Sequence, residues 1–150
     1  APRAAAAARA DFLGSLKYDA QGLVVAIAQH VDSGAVLMQA FADGEAVAKT
    51  LDTGKATFYS RSRQGLWTKG ETSGHFLGVK QVFFDCDRDS LIYLCDPRGP
   101  ACHTGEPTCY FKEVVPSEGG DVEVSEGKVP PLMTLQALEA TIEARREEAA

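Results

Sequence analysis

Apolar residues come in short blocks along the first two thirds of the chain, and Gly, Asp or Pro bounds most of them. Leu23 to Val31 and Ala35 to Phe41 are apolar and rich in β-branched residues, with Asp32-Ser33-Gly34 between them. Two such runs around a short Gly-containing loop predict a hairpin. Asp43 is an N-cap by residue type, so a helix is expected from Gly44 to about Asp52, ending at Gly54. Val47 and Leu51 stand at helical spacing and are expected to face the core. Ala56 to Ser60, the short run Leu66-Trp67-Thr68, Val79 to Cys86 and Ser90 to Cys95 read as further strands. Pro97 to Pro107 reads as loop, and Thr108 to Val114 as a last strand.

The pattern changes at both ends. Ala1 to Ala10 is Ala/Arg-rich and lacks acids until Asp11. Residues 1–15 are therefore expected to be a disordered or weakly helical terminus, with the composition of a transit-peptide remnant. Residues 115–131 are rich in Gly, Pro and acids and show no period, which predicts a linker. After it, Thr134 caps an amphipathic helix with Leu135, Leu138 and Ile142 on one face. The expected architecture is α+β: a mostly antiparallel sheet in residues 16–114, with one helix inserted after the first hairpin.

Composition narrows the function classes. The chain has 150 residues and is 45% hydrophobic, enough for one working core. Its net charge of −6 lies in the tail. Up to Lys112 the 12 acids and 12 bases cancel, and from Glu113 onward 9 acids face 3 bases. A neutral body argues against generic nucleic-acid binding. No apolar run approaches the ~18 residues of a membrane span. The four cysteines accompany no secretory segment, so metal ligation or free thiols are expected rather than disulfides.

The chemistry concentrates in Asp85-Cys86-Asp87-Arg88-Asp89 and in Cys102-His103 with Cys109. Read as a strand end, the first segment puts Asp85, Asp87 and Asp89 on one face and Cys86 on the other. Carboxylates suit a hard ion such as Mg²⁺, and thiolates suit Zn²⁺. An EF-hand is excluded, since its sixth and twelfth positions would be Ser90 and Asp96. A solvated acidic turn is the bland alternative. Three thiols leave a fourth zinc position open for water, which is the catalytic arrangement. Cys95, inside an apolar strand, reads as a small core hydrophobe. His103 is either an acid/base group near neutrality or a fourth ligand. His30 reads as structural or surface, and His75 stays open. From Ser60 to Gly74, hydroxyls alternate with bases, and Arg61, Arg63 and Lys69 have no acid among them until Glu71. Such a segment can hold a phosphate monoester, although it is not a Walker A loop. Glu71 is a second candidate base or ligand. Trp67 stacks on a base or packs in the core.

The run SRSRQGLWTKGETSGH, then DCDRD, then GPACHTGEPTC, resembles phosphoribosyl-AMP cyclohydrolase, a family of histidine biosynthesis, over about Gly22 to Phe111. The resemblance implies zinc on Cys86, Cys102 and Cys109, contributed by two subunits of an obligate, intertwined homodimer with shared active sites. It implies Mg²⁺ on Asp85, Asp87 and Asp89, and His103 and Glu71 in catalysis. Substrate contacts would fall to Arg61, Ser62, Arg63, Trp67, Lys69, Thr72 and Ser73. The implied reaction is hydrolysis of the N1–C6 bond of phosphoribosyl-AMP by zinc-bound hydroxide with Mg²⁺ assistance. Bifunctional members continue into a phosphoribosyl-ATP pyrophosphohydrolase domain, so residues 132–150 would be the start of a truncated copy. A plant source would place the enzyme in the chloroplast stroma, and any other source in the cytoplasm. Gln39 and Ala42-Asp43-Gly44 depart from the commoner A-Y-M-N run before the helix. Two rivals remain. A zinc nucleobase deaminase needs His-x-Glu and Pro-Cys-x-x-Cys, which are absent. A non-catalytic zinc-stapled nucleotide-binding module needs four closed ligands.

Overall fold

In the computed structural model, residues 2–127 and 133–149 are described. Six strands form one curled sheet: β1 (Val24–His30), β2 (Val36–Ala42), β3 (Thr57–Ser60), β4 (Gly65–Thr68), β5 (Leu77–Phe84) and β6 (Ser90–Pro97). Their order is β4-β3-β2-β1-β6-β5. Every pairing is antiparallel except β1 with β6, which places Val25 opposite Ser90 and His30 opposite Cys95. The sheet curls far enough for its two halves to meet. Ala56 N–H donates to Leu77 O (3.0 Å) and Val79 N–H to Gly54 O (2.7 Å). The fold is thus α+β, as the hydrophobic pattern predicts.

Burial alternates along the central strands because one sheet face is covered. Val24, Ala26 and Ala28 of β1 and Leu91, Tyr93 and Cys95 of β6 enter one core. That core is shared with Ala46 and Val47 of helix α2 (Gly44–Thr53). The α2 caps are those expected. Asp43 Oδ1 accepts from Ala46 N–H (2.8 Å), and Gly54 closes the helix at φ +67°. Leu51 corrects the expectation, since it is 38% exposed. The buried stripe is Ala46, Val47 and Thr50. Position 50 lies three residues after 47 and meets the strands squarely, which rotates position 51 toward solvent.

Of the two alternatives for the first residues, disordered or weakly helical, the helical one is nearer, and the segment expected as linker contains a strand. Residues Pro2–Ser15 form helix α1. Phe12 and Leu13 pack on the core, Leu16 is buried, and the Phe12 ring lies 5.5 Å from that of Phe84. Two aromatic and aliphatic anchors after the alanine run are enough to dock the helix. The last expected strand begins later, at β7 (Lys112–Pro116), and does not join the main sheet. It pairs with β8 (Val122–Glu126), a strand inside the segment expected to be linker. The turn glycines Gly119 (φ +83°) and Gly120 (φ +87°) close this hairpin, so Gly content marks a turn here and not a flexible tether. Residues 128–131 of that expected linker lie outside the described residues. Helix α3 (Met133–Glu148) follows. Thr134 lies inside it and not at its cap, while Leu138 (56%) and Ile142 (46%) are exposed.

Candidate active site

The DCDRD segment is a turn. β5 ends at Phe84, and Asp85 N–H donates to Ser90 O (3.1 Å) across the base of a tight connection to β6. Asp85 Oδ1 accepts from the Asp89 (3.1 Å) and Ser90 (3.2 Å) amides, and Arg88 takes the left-handed conformation at φ +63°. Strand alternation therefore does not sort these residues onto two faces. The Asx hydrogen bonds of Asp85 bend the backbone before the period-2 pattern can continue. The carboxylates nonetheless interact. A desolvation contribution raises Asp85, but hydrogen bonds from Ser90, the Asp89 side chain and the Asp89 and Arg88 backbones outweigh it and hold its carboxyl below the usual value. Asp89 is raised by its side-chain hydrogen bond to Asp85 and by the charges of Asp85 and Asp87. Cys86 is exposed, with Sγ 3.8 Å from Asp87 Oδ1.

The second thiol cluster lies beyond the other end of β6. Backbone bonds from Ala101 to Pro107 (3.3 Å) and from Cys102 to Glu106 (3.1 Å) close a compact loop, and Ala101 and Cys102 are buried within it. Cys109 N–H donates to Leu37 O (2.8 Å) and Thr108 Oγ1 to Val36 O (2.7 Å), which ties the loop to the start of β2. Thr104 Oγ1 donates to Cys102 Sγ at 3.0 Å. That bond, the Thr104 amide and the Cys109 thiol together lower the Cys102 pKa. Cys109 is pushed up to about 11 by desolvation and by the neighbouring Cys102, with Lys69 acting against the shift. Of the two thiols, Cys102 is therefore the one that deprotonates first. This is a soft donor set suited to zinc. His103 is exposed, its Nδ1 4.0 Å from Cys102 Sγ.

β6 rises ~3.3 Å per residue, which sets the acidic turn and the thiol loop on the order of 20 Å apart. Among the described residues of one copy, no three His, Cys, Asp or Glu side chains converge as a cation site. Cys102 and Cys109 are brought together, and Cys86 is not brought to them.

The Ser60–His75 motif divides between the same two regions. Arg61 lies in the β3–β4 turn with its guanidinium 4.3 Å over the Phe41 ring, beside Ser62 and Arg63. Ser60 and Ser62 hydroxyls lie 3.2 Å apart, and Ser60 Oγ accepts from Arg63 N–H (3.3 Å). Trp67 packs against Phe58 (5.2 Å), the core alternative. Lys69 acts on Cys109. Glu71 Oε2 accepts from Thr68 N–H (3.2 Å), so its carboxylate braces the turn that precedes exposed Thr72 and Ser73.

His75 joins this turn to the thiol loop. At Gly70 (φ +91°) a Cβ would lie 2.4 Å from the His75 carbonyl carbon, and at Gly99 it would lie 2.6 Å from the His75 ring. The histidine is seated where two glycines leave room, and Arg98 N–H donates to Phe76 O (2.9 Å) beside it. The other histidine and cysteine behave as structural residues. His30 Nδ1 accepts from the Asp32 and Ser33 amides. Cys95 is buried and donates to Tyr93 O (3.2 Å). Sequence reasoning missed Lys17 and Tyr18, which lie beside Asp89; the only signal was a Lys-Tyr-Asp run ahead of Gly22, outside every motif.

A family model for phosphoribosyl-AMP cyclohydrolase matches residues 38–111. A phosphoribosyl-AMP cyclohydrolase of Paracoccus denitrificans is 52% identical over 110 residues, 73% of this chain and 89% of that protein. The chain belongs to the phosphoribosyl-AMP cyclohydrolase family. It is also similar to two longer members. The chloroplastic histidine biosynthesis bifunctional protein of Arabidopsis thaliana is 54% identical over 138 residues, 92% of this chain and 48% of that protein. The bifunctional protein of Deinococcus radiodurans is 50% identical over 109 residues, 73% of this chain and 50% of that protein. The chain spans about half the length of these two bifunctional proteins.

Proposed function

We propose that this chain opens the adenine ring of phosphoribosyl-AMP by hydrolysis of its N1–C6 bond, as a homodimer whose active sites each draw on two copies. One copy supplies Cys86 and the aspartates, and the other supplies Cys102, His103 and Cys109. The observation that carries the reading is the division of the donor set between the two ends of β6. A thiolate pair alone is an incomplete zinc site, and the third thiol of its own chain is out of reach. A two-fold pairing supplies it twice.

Zinc, when bound by the three thiolates, makes a nucleophile available from water near neutral pH. The remaining work falls to side chains of this chain. Thr104 stabilises Cys102 as thiolate through its hydroxyl. His103, beside Cys102 and open to solvent, moves protons to and from the atoms of the opening ring. The substrate carries a ribosyl group on N1, which leaves N1 electron-poor and C6 electrophilic, so the C6–N1 bond is the one that breaks. Arg61, Ser62, Arg63, Lys69, Thr72 and Ser73 bind the phosphoribosyl groups, with Trp67 shaping the wall. Glu71 positions the Thr68–Ser73 turn and is a second proton-transfer group. Asp85, Asp87 and Asp89, carried on the β5–β6 turn, would hold Mg²⁺ through hard carboxylate oxygens.

Two further assignments belong to the proposal. The likeness to a chloroplastic plant protein, together with the Ala/Arg-rich first residues, supports the chloroplast stroma. Helix α3, with Leu138 and Ile142 exposed, is read as the opening helix of the pyrophosphohydrolase domain that bifunctional members carry. Among the described residues no helix is long and apolar enough to cross a membrane.

The direct test is ring opening of phosphoribosyl-AMP followed spectroscopically, with and without a chelator. Turnover that stops on chelation and returns with zinc is expected. Turnover untouched by complete zinc removal would contradict the assignment of the thiols.

A further inference from the structure

A cavity of about 360 Å³ opens beside the acidic turn, lined by Lys17, Tyr18, Asp19, Leu23, Val25, Phe41 and Asp89. A second, of about 220 Å³, adjoins it at Leu23 and is walled by Tyr59, Arg61 and Gln64. The Arg61 guanidinium over the Phe41 ring links the two. The result is a groove with an apolar floor, Arg61 toward one end, and Lys17, Asp19 and Asp89 at the other.

Lys17 is held there by its backbone. Its N–H donates to Arg88 O (2.7 Å), Arg88 Nη1 donates to Ser15 Oγ (2.7 Å), and the Arg88 guanidinium lies 4.8 Å over the Phe84 ring. Arg88, the charged residue within the acidic turn, is therefore folded back onto α1 and away from the groove. Lys17 is the basic residue that lines the cavity together with Asp19 and Asp89. Among the described residues the one ion pair joins Arg9 to Asp52 and leaves Lys17 out.

We propose that the Lys17 cavity is a phosphate subsite for the nucleotide substrate, with the Lys17 ammonium donating to the phosphoryl oxygens. The assignment rests on the reading of the chain as a nucleotide ring-opening enzyme. A compact ammonium is a point-charge partner for a phosphate dianion. Asp19 and Asp89 would repel that dianion unless a cation lay between them and it, so the subsite would work only together with a cation on the carboxylates. Lys17 and Leu23 precede the stretch that the family model matches, residues 38–111.

The test uses the full chain with zinc and Mg²⁺, comparing Lys17→Ala and Lys17→Arg with the parent. Phosphoribosyl-AMP is the substrate, and AMP and ribose 5-phosphate are competing probes. Lys17→Ala is expected to raise KM about tenfold with kcat within about twofold, as loss of one charge-assisted contact at a solvent-open site implies. Inhibition by one of the two phosphorylated probes should weaken in parallel, and Lys17→Arg should restore most of both effects. The melting temperature should not move, because Lys17 is exposed and its hydrogen bond to Arg88 O is made by its backbone. Unchanged KM and unchanged inhibition by both probes would overturn the subsite. A KM change accompanied by a lower melting temperature and not rescued by arginine would overturn it too, in favour of a packing role. If the parent fails to turn over phosphoribosyl-AMP at all, the broader functional reading has failed. The AMP and ribose 5-phosphate arms, read as binding by calorimetry, then still decide the subsite.

Discussion

The two ends of β6 both present thiols, and they hold them in contrasting ways. At the β5–β6 turn, Cys86 is exposed among carboxylates, on a backbone fixed by Asp85 and by the docking of α1. At the far end, Cys102 is buried in a loop whose amides and Thr104 hydroxyl are already satisfied, with Cys109 hydrogen-bonded beside it. Cys102 and Cys109 form a thiol pair with one buried and one exposed member, whereas Cys86 stands exposed and apart from them. The difference teaches that a ligand set adjacent in a motif list need not be adjacent in one fold. The strand between the two ends keeps them apart, and the proposed two-fold pairing is what would close the site.

The comparison can be broken most strongly at the buried end. His103→Ala should retain zinc by metal analysis and slow turnover by roughly 10²–10⁴. Loss of zinc in that variant would make His103 a ligand and end its acid/base assignment. Next comes the link between the substrate turn and the thiol loop. Gly70→Ala places a methyl group against fixed backbone at positive φ and should lower stability by about 3 kcal/mol or more. Gly99→Ala meets only the His75 ring and should cost about 1 kcal/mol, because a side chain can swing aside. Denaturant melts of the two variants check the order, and equal losses would show that the ring is as immovable as the backbone.

The smallest effect sharpens the contrast between the end thiols and the one inside the strand. Burial pushes Cys95 from the ordinary 9.0 up to about 12. Its folded pKa is raised, so its contribution to stability is present below pH 9 and is lost as pH climbs toward 12. Cys95→Ala should therefore flatten the alkaline stability loss in that window. At pH 8 a maleimide should label Cys86 of the metal-free protein and spare Cys95, as read by mass spectrometry.

Much of this architecture was legible in the sequence, for physical reasons. The β1–β2 hairpin, the Asp43 and Gly54 caps of α2 and the strand blocks follow from local chemistry, and they lie within a residue or two of expectation. Three features did not follow. The DCDRD turn overrides alternation because Asp85 hydrogen-bonds its own backbone. β8 pairs within a stretch of acids and glycines that has no period of its own. The docking of α1 depends on Phe12 meeting Phe84, a contact between residues far apart in the chain. Of the site, the residue types and their chemistry were readable. Their separation along β6 was not, because spacing in sequence says nothing about which end of a strand each loop occupies.

Subunit complementation tests the central claim most directly. A chain carrying Cys86→Ala and a chain carrying both Cys102→Ala and Cys109→Ala should each be inactive and bind little zinc alone. Co-refolded in equal amounts, they should form mixed dimers in which one site has all three thiols, restoring turnover and about one zinc per mixed dimer. A mixture as inactive as its parents, with mixed dimers demonstrated by mass, would contradict a site divided between two copies.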